Sequence, residues 1–181
     1  DIVDLHFSHL SNKVGACNTV MKRLRRDGHV EVNVFQQPYI YFASPSPIKR
    51  DSAKIPHFLK IVDFYKQLRK HSIPKVFDVE PKYGKEFMEP DAFMIWQGAP
   101  FFVEIQLSHY SQKVMKDKIT RYEKYFLSGK WKNESWQPTN KKVFPYVWII
   151  ADHHYNIESK VLRIFQSENV NGFLREVKKS S

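Results

Sequence analysis

Asp91, Glu104 and Gln106 stand inside "EPDAFMIWQGAPFFVEIQLS" (residues 89–108), a run that is otherwise almost entirely apolar. Carboxylates in such company need a partner, because burying an ionised group is costly unless it is paired or bound to a metal. Strand side chains alternate faces. A two-residue turn at Gly98-Ala99 sets Asp91 opposite Gln106, and a turn at Gln97-Gly98 sets Asp91 opposite Glu104. Either turn leaves Asp91, Glu104 and Gln106 on one face, whereas an odd-length loop without a bulge would separate them. Two like charges this close repel and raise each other's pKa. A divalent cation removes the conflict, and oxygen ligands of this kind suit Mg²⁺ or Mn²⁺. Such an ion activates water and neutralises charge at a phosphate under in-line attack. Glu80 is a third acid candidate. Asp63 and the pair His153-His154 are weaker metal candidates, and Cys17 reads as a small core residue.

The elements that would position these groups follow from periodicity. "KIPHFLKIVDFYKQLRKH" reads as a helix with Pro56 in its first turn and a stripe of Phe58, Ile61, Val62, Tyr65 and Leu68. A strand over residues 75–83 comes next, then the hairpin, then a helix over residues 111–129. In that helix Met115, Ile119, Tyr122 and Phe126 make the buried row, and Gly129 ends it. "FPYVWIIADHH" has the continuous apolar character of a strand covered on both faces. A short strand "KVLRIFQ" and a closing helix capped by Ser167 complete an α-β-β-β-α-β-β-α order around a mixed sheet.

Residues 43–56, "ASPSPIKRDSAKIP", form a Pro- and Ser-rich seam between a module at 1–47 and a main domain at 53–181. The module reads as a short helix, a basic helix ending at Gly28 and two strands joined through "FQQP". Val14, Cys17, Val20, Met21 and Leu24 would form the buried face of that basic helix. Lys13, Lys22, Arg23, Arg25 and Arg26 surround the face with charge. The order is that of a winged helix-turn-helix, which lays its second helix in the major groove. Its usual first helix is missing, so the chain is expected to begin partway through the module.

The formal charge of +10 favours a polyanion, chiefly nucleic acid. Lys113, Lys116, Lys118, Arg121 and Lys124 on the helix over 111–129 outweigh Asp117 and Glu123 and suggest a track for DNA phosphates. An apolar fraction of 42% allows a sizeable core, no run is long enough to span a membrane, and a single cysteine suits a reducing cytoplasm.

This arrangement resembles the PD-(D/E)XK nuclease superfamily, through Pro90-Asp91 on the second strand and Glu104-Ile105-Gln106 on the third. Over more of the chain, "HFLKIVDFYKQL", Glu80, "PDAF", "FFVEIQ" and "KITRYEKYF" resemble the replication-relaxation family of plasmid and phage proteins of Gram-positive bacteria. The resemblance implies an α/β fold: a PD-(D/E)XK nuclease-like mixed sheet flanked by helices, preceded by a partial winged helix. It implies a DNA-binding protein of the bacterial cytoplasm acting in replication or relaxation of mobile DNA; a homodimer is an open alternative that the residues do not decide. Asp91, Glu104 and Glu80 would hold Mg²⁺ or Mn²⁺. Gln106 stands where the superfamily usually has Lys. A neutral amide orients water but carries no charge, so a lysine from the following helix is expected to supply it, Lys118 first and Lys113 second. The alternative is a non-catalytic DNA-binding replication or regulatory factor whose nuclease-like domain is inactive.

Overall fold

A computed structural model describes residues 1–179. The chain divides into two compact units, Asp1–Val62 and Asp63 onward, and the division falls inside a helix. Among the described residues no helix is long and apolar enough to cross a membrane.

The first unit opens with a π-helical turn, Val3–Phe7, followed by α1, Lys13–Arg26. Asn12 caps α1 by accepting the Gly15 N–H at 3.1 Å. Strands β1 (Val30–Asn33) and β2 (Ile40–Ala43) pair antiparallel, with Val30 opposite Ala43 and Asn33 opposite Ile40. The order of short helical turn, basic helix and hairpin is the expected one. The buried face of α1 is narrower than its apolar pattern predicts: Cys17 and Met21 are buried, but Val14 and Val20 are exposed. The helix packs along the opening turn and β1, a seam too thin to cover a full amphipathic stripe.

Helix α2, Ile55–Arg69, runs across the division. Beyond it, strands β3 (Val76–Val79), β4 (Ala92–Trp96), β5 (Ala99–Ile105), β6 (Tyr146–Ile150) and β7 (Ile164–Ser167) form one sheet in that spatial order. β3, β4 and β5 are antiparallel, while β5, β6 and β7 run parallel. This is an α/β architecture with a mixed five-stranded sheet. α3 (Gln112–Ser128) follows β5 and α4 (Val170–Lys179) follows β7.

Alternation sorts the side chains into two layers. Phe93, Phe102, Val147 and Ile149 point to one face and pack with Met115, Ile119, Tyr122 and Tyr125 of α3. Trp96, Phe101 and Trp148 point to the other, against Phe64 of α2 and Phe173 of α4; the Trp148 and Phe173 rings lie 4.0 Å apart. β6 is apolar throughout because both of its faces are covered.

Four further expectations need correction. The strand expected over 75–83 stops at Val79, because Glu80 turns to φ +46° and Pro81 cannot donate to a ladder. On α3 the fourth buried position is Tyr125 rather than Phe126, which is only partly buried. On α2 Phe64 is buried, outside the expected stripe of Phe58, Ile61, Val62, Tyr65 and Leu68. The cap of α4 is Asn169, whose Oδ1 accepts the Gly172 N–H at 2.9 Å. Ser167 instead accepts the Trp148 indole N–H at 2.8 Å. Asn169→Ala should therefore cost about 1 kcal/mol of stability, read as a fall in Tm by circular dichroism. No change in Tm would mean that the end of α4 is held without its cap.

Candidate active site

The hairpin turn decides the register. Gln97 and Gly98 both have positive φ, +50° and +80°, which gives the two-residue turn whose twist matches its strands. Ala92 then lies opposite Val103, and Asp91 comes opposite Glu104. Asp91 extends the ladder past β4. Its N–H donates to the Val103 carbonyl at 3.0 Å, and its own carbonyl accepts the Glu80 N–H at 3.0 Å. Its Oδ2 accepts the Ile105 N–H at 2.6 Å, which fixes the carboxylate against β5.

Glu104 is 1% exposed, on the sheet face that α3 covers. Two α3 side chains one turn apart meet it. Tyr122 donates its hydroxyl to Oε1 at 2.6 Å, and the Lys118 ammonium forms a hydrogen-bonded ion pair with Oε2. The Lys118 side chain is 28% exposed, and its Nζ lies 5.8 Å from the centre of the Tyr110 ring, a cation–π distance.

Burial holds the Glu104 carboxyl above its ordinary range. The Asp91 charge adds to that rise, while the Lys118 ammonium and the Tyr122 hydroxyl oppose it. For Lys118 burial works downward, but the carboxylates of Glu104 and Asp91 outweigh it and hold the ammonium protonated. Burial and the same carboxylates push Tyr122 well above a normal phenol, so it remains a donor. The site is thus a buried carboxylate with a permanent cation on one oxygen, a neutral donor on the other and a second carboxylate across the ladder.

Gln106 lies on the same face by alternation. Its N–H donates to the Ile150 carbonyl at 2.9 Å, and its side-chain Oε1 is buried with no hydrogen-bond partner among the described residues. Among those residues no group of three or more His, Cys, Asp or Glu side chains is arranged to hold a metal, so Glu80 does not complete a set with Asp91 and Glu104. The two carboxylates of Asp91 and Glu104, on the face that also carries Gln106, still fit Mg²⁺ or Mn²⁺, which bind through one or two carboxylates and keep several waters.

The basic residues fall into different situations. Lys113 and Lys116 are exposed on α3, whereas Arg121 is drawn to the Lys85 carbonyl at 3.2 Å and lies 3.9 Å from Glu89. Lys13, Lys22 and Arg23 are exposed on α1, and Arg26 pairs with Asp27 at 2.8 Å. The His153-His154 pair does not act as a unit. His153 bonds Asp152 at 2.7 Å and stacks on His109 with ring centres 3.8 Å apart, while His154 contacts Gln166.

Helical periodicity marks Tyr122 as a core residue alone. Its spacing of four from Lys118 was the available signal that both would face one partner. The His109–His153 stack had no local signal, because it forms where the ends of parallel β5 and β6 come side by side.

The model of one known family, replication-relaxation, matches residues 43–140, a span that includes Glu80, Asp91, Glu104, Gln106, Lys118 and Tyr122. No curated protein and no solved structure matches the chain. The family match covers more than half of the sequence, and with it the cluster of Asp91, Glu104, Lys118 and Tyr122: the chain belongs to the replication-relaxation family.

Proposed function

We propose that this chain is a DNA-binding, metal-dependent phosphodiesterase, an endonuclease or nickase acting in the replication or relaxation of plasmid or phage DNA. The family points to a part in plasmid replication or relaxation. The observation that carries the chemistry is the buried Glu104 carboxylate, faced by Asp91 and met by Lys118 and Tyr122. Packing alone does not call for an ionisable group on the central strand of the sheet.

Asp91 and Glu104 would hold Mg²⁺ or Mn²⁺, which when bound supplies a Lewis acid and a more acidic water. The other roles belong to the chain's own side chains. The Ile105 N–H holds Asp91 in place and the Tyr122 hydroxyl orients Glu104, so neither carboxylate must reorganise during the reaction. Lys118 places a positive charge where negative charge builds on the phosphate. The Gln106 amide oxygen, unsatisfied within the chain, is the acceptor that orients the attacking water. Lys113 and Lys116 on α3, and Lys13, Lys22 and Arg23 on α1, contact phosphates and add to the salt dependence of binding. Arg121 and Arg26 do so less, because part of their capacity is taken up within the chain.

The second reading is a non-catalytic DNA-binding factor. It is favoured by the Lys118–Glu104 ion pair, which satisfies the buried carboxylate without any metal. Incubating supercoiled plasmid with the protein and Mn²⁺ or Mg²⁺ separates the two. Nicked or linear product that EDTA abolishes is the expected result. Retarded but intact plasmid at every metal concentration would establish the second reading.

A further inference from the structure

The loop between β1 and β2 carries the most exposed aromatic side chain of the chain's described part: Phe35 is 89% exposed. Its neighbours Gln36, Gln37 and Pro38 are exposed too, and Tyr39 is half exposed. The loop does not simply fray. Asn33, only 7% exposed, accepts the Phe35 N–H on its Oδ1 at 2.9 Å and donates from Nδ2 to the Arg50 carbonyl at 2.7 Å. One buried amide thus ties the residue that carries the ring to the segment beyond β2.

The charge distribution says what this tip would meet. From Val32 to Ile48 there is no charged residue. In the same compact unit α1, which packs against β1, exposes Lys13, Lys22, Arg23 and Arg25. A polyanion's phosphates suit the helix, and the uncharged tip is left with an aromatic face and two side-chain amides. Those are the groups that stack on a nucleobase and hydrogen-bond its edge. In a duplex both faces of each base are already covered, and a wedge must first break a stack. In a single strand the base face is open, and one ring suffices.

We infer that the β1–β2 hairpin tip is a base-stacking contact for unpaired DNA, with Phe35 as the stacking ring and Gln36 and Gln37 beside it. The inference rests on the reading that the chain binds DNA and is independent of whether it cleaves. It adds a preference for opened strands that the carboxylate site does not itself supply.

The test uses the full chain in EDTA with a single-stranded oligonucleotide containing 2-aminopurine, and with the same strand annealed to its complement. Affinity is read by anisotropy and stacking by 2-aminopurine fluorescence. The expected result is quenching on the single strand, lost in Phe35→Ala together with about a 10-fold loss of single-strand affinity, and kept in Phe35→Trp. Duplex affinity and Tm stay unchanged, since the ring contributes almost nothing to the core. Equal single-strand binding by Phe35→Ala and the parent overturns the inference and leaves the tip to a protein partner. An equal loss on single strand and duplex overturns it in favour of a duplex wedge. Failure of the parent to bind either DNA sinks the DNA-binding reading itself, and the inference with it.

Discussion

Lys118→Met lowers plasmid cleavage by about 10²–10³-fold, the loss expected when a charge aimed at a developing anion is removed from a water-poor site, and leaves DNA affinity nearly unchanged. Methionine keeps the bulk of the stem, so the change is chiefly one of charge. The ammonium in question is not a surface group that happens to lie near: it is bonded to Glu104, and the carboxylates hold it protonated. Its removal leaves Glu104 buried without a counter-charge, at a stability cost of about 3 kcal/mol wherever the carboxyl is ionised. That cost has a sign in pH. Without Lys118 the folded-state pKa of Glu104 rises further, so the deficit is full above the raised pKa and fades as pH falls toward the ordinary carboxyl value. Thermal melts of the variant and parent should therefore converge in acid. Lys118 and a divalent cation compete for the same carboxylate, so Mn²⁺ binding followed by electron paramagnetic resonance should be at least as tight in the variant. Lys124→Ala, on the exposed side of α3, should do the reverse: a slight weakening of DNA binding, a smaller salt slope and unaltered cleavage. Cleavage by Lys118→Met at the parent rate would remove Lys118 from the chemistry and leave it a structural counter-ion.

Glu104→Gln abolishes cleavage while DNA binding persists. The amide keeps an acceptor for Tyr122 and removes the negative charge that would hold the cation. Lys118, with part of its side chain in water, can turn to solvent, so this variant folds more securely than Glu104→Ala, which leaves a hole beside Tyr122. The parent's pH profile carries the same information. Burial raises the Glu104 carboxyl, so a proton competes with the cation over a range above the ordinary value of 4.5. Metal affinity and cleavage should climb as pH rises through that range. Stability runs the other way: a raised folded-state pKa contributes stability below the ordinary value, lost as pH rises through the raised one. Glu104→Gln should flatten that slope in Tm against pH. Undiminished cleavage by both Glu104→Gln and Asp91→Ala would put the reaction centre elsewhere.

The sequence alone determined what depends on neighbours along the chain. α3 ends at Gly129, at φ +70°, a stop signal legible in the sequence, and it starts at Ser111, whose hydroxyl accepts the Val114 N–H. β6 announced its burial on both faces by its composition, and the sheet's mixed character followed from the order of elements. Alternation put Asp91, Glu104 and Gln106 on one face for either even turn. Which turn was used lay beyond the sequence, because Gln97 at positive φ is not a residue that advertises such a turn. The choice made Asp91 rather than Phe93 the neighbour of Glu104. Helical spacing likewise defined the buried side of α3 to within a residue, but Tyr125 displaced Phe126 from its centre, and its hydroxyl found Glu134 at 2.7 Å in the turn that follows the helix. Lys118 bordered that row in the sequence; only the docking of α3 on the sheet brought its ammonium onto Glu104. Local periodicity comes from the backbone's own geometry, so a single chain reveals it. The contacts that make a site depend on register and on the rotation of one element against another, and those are set by packing across the whole sheet.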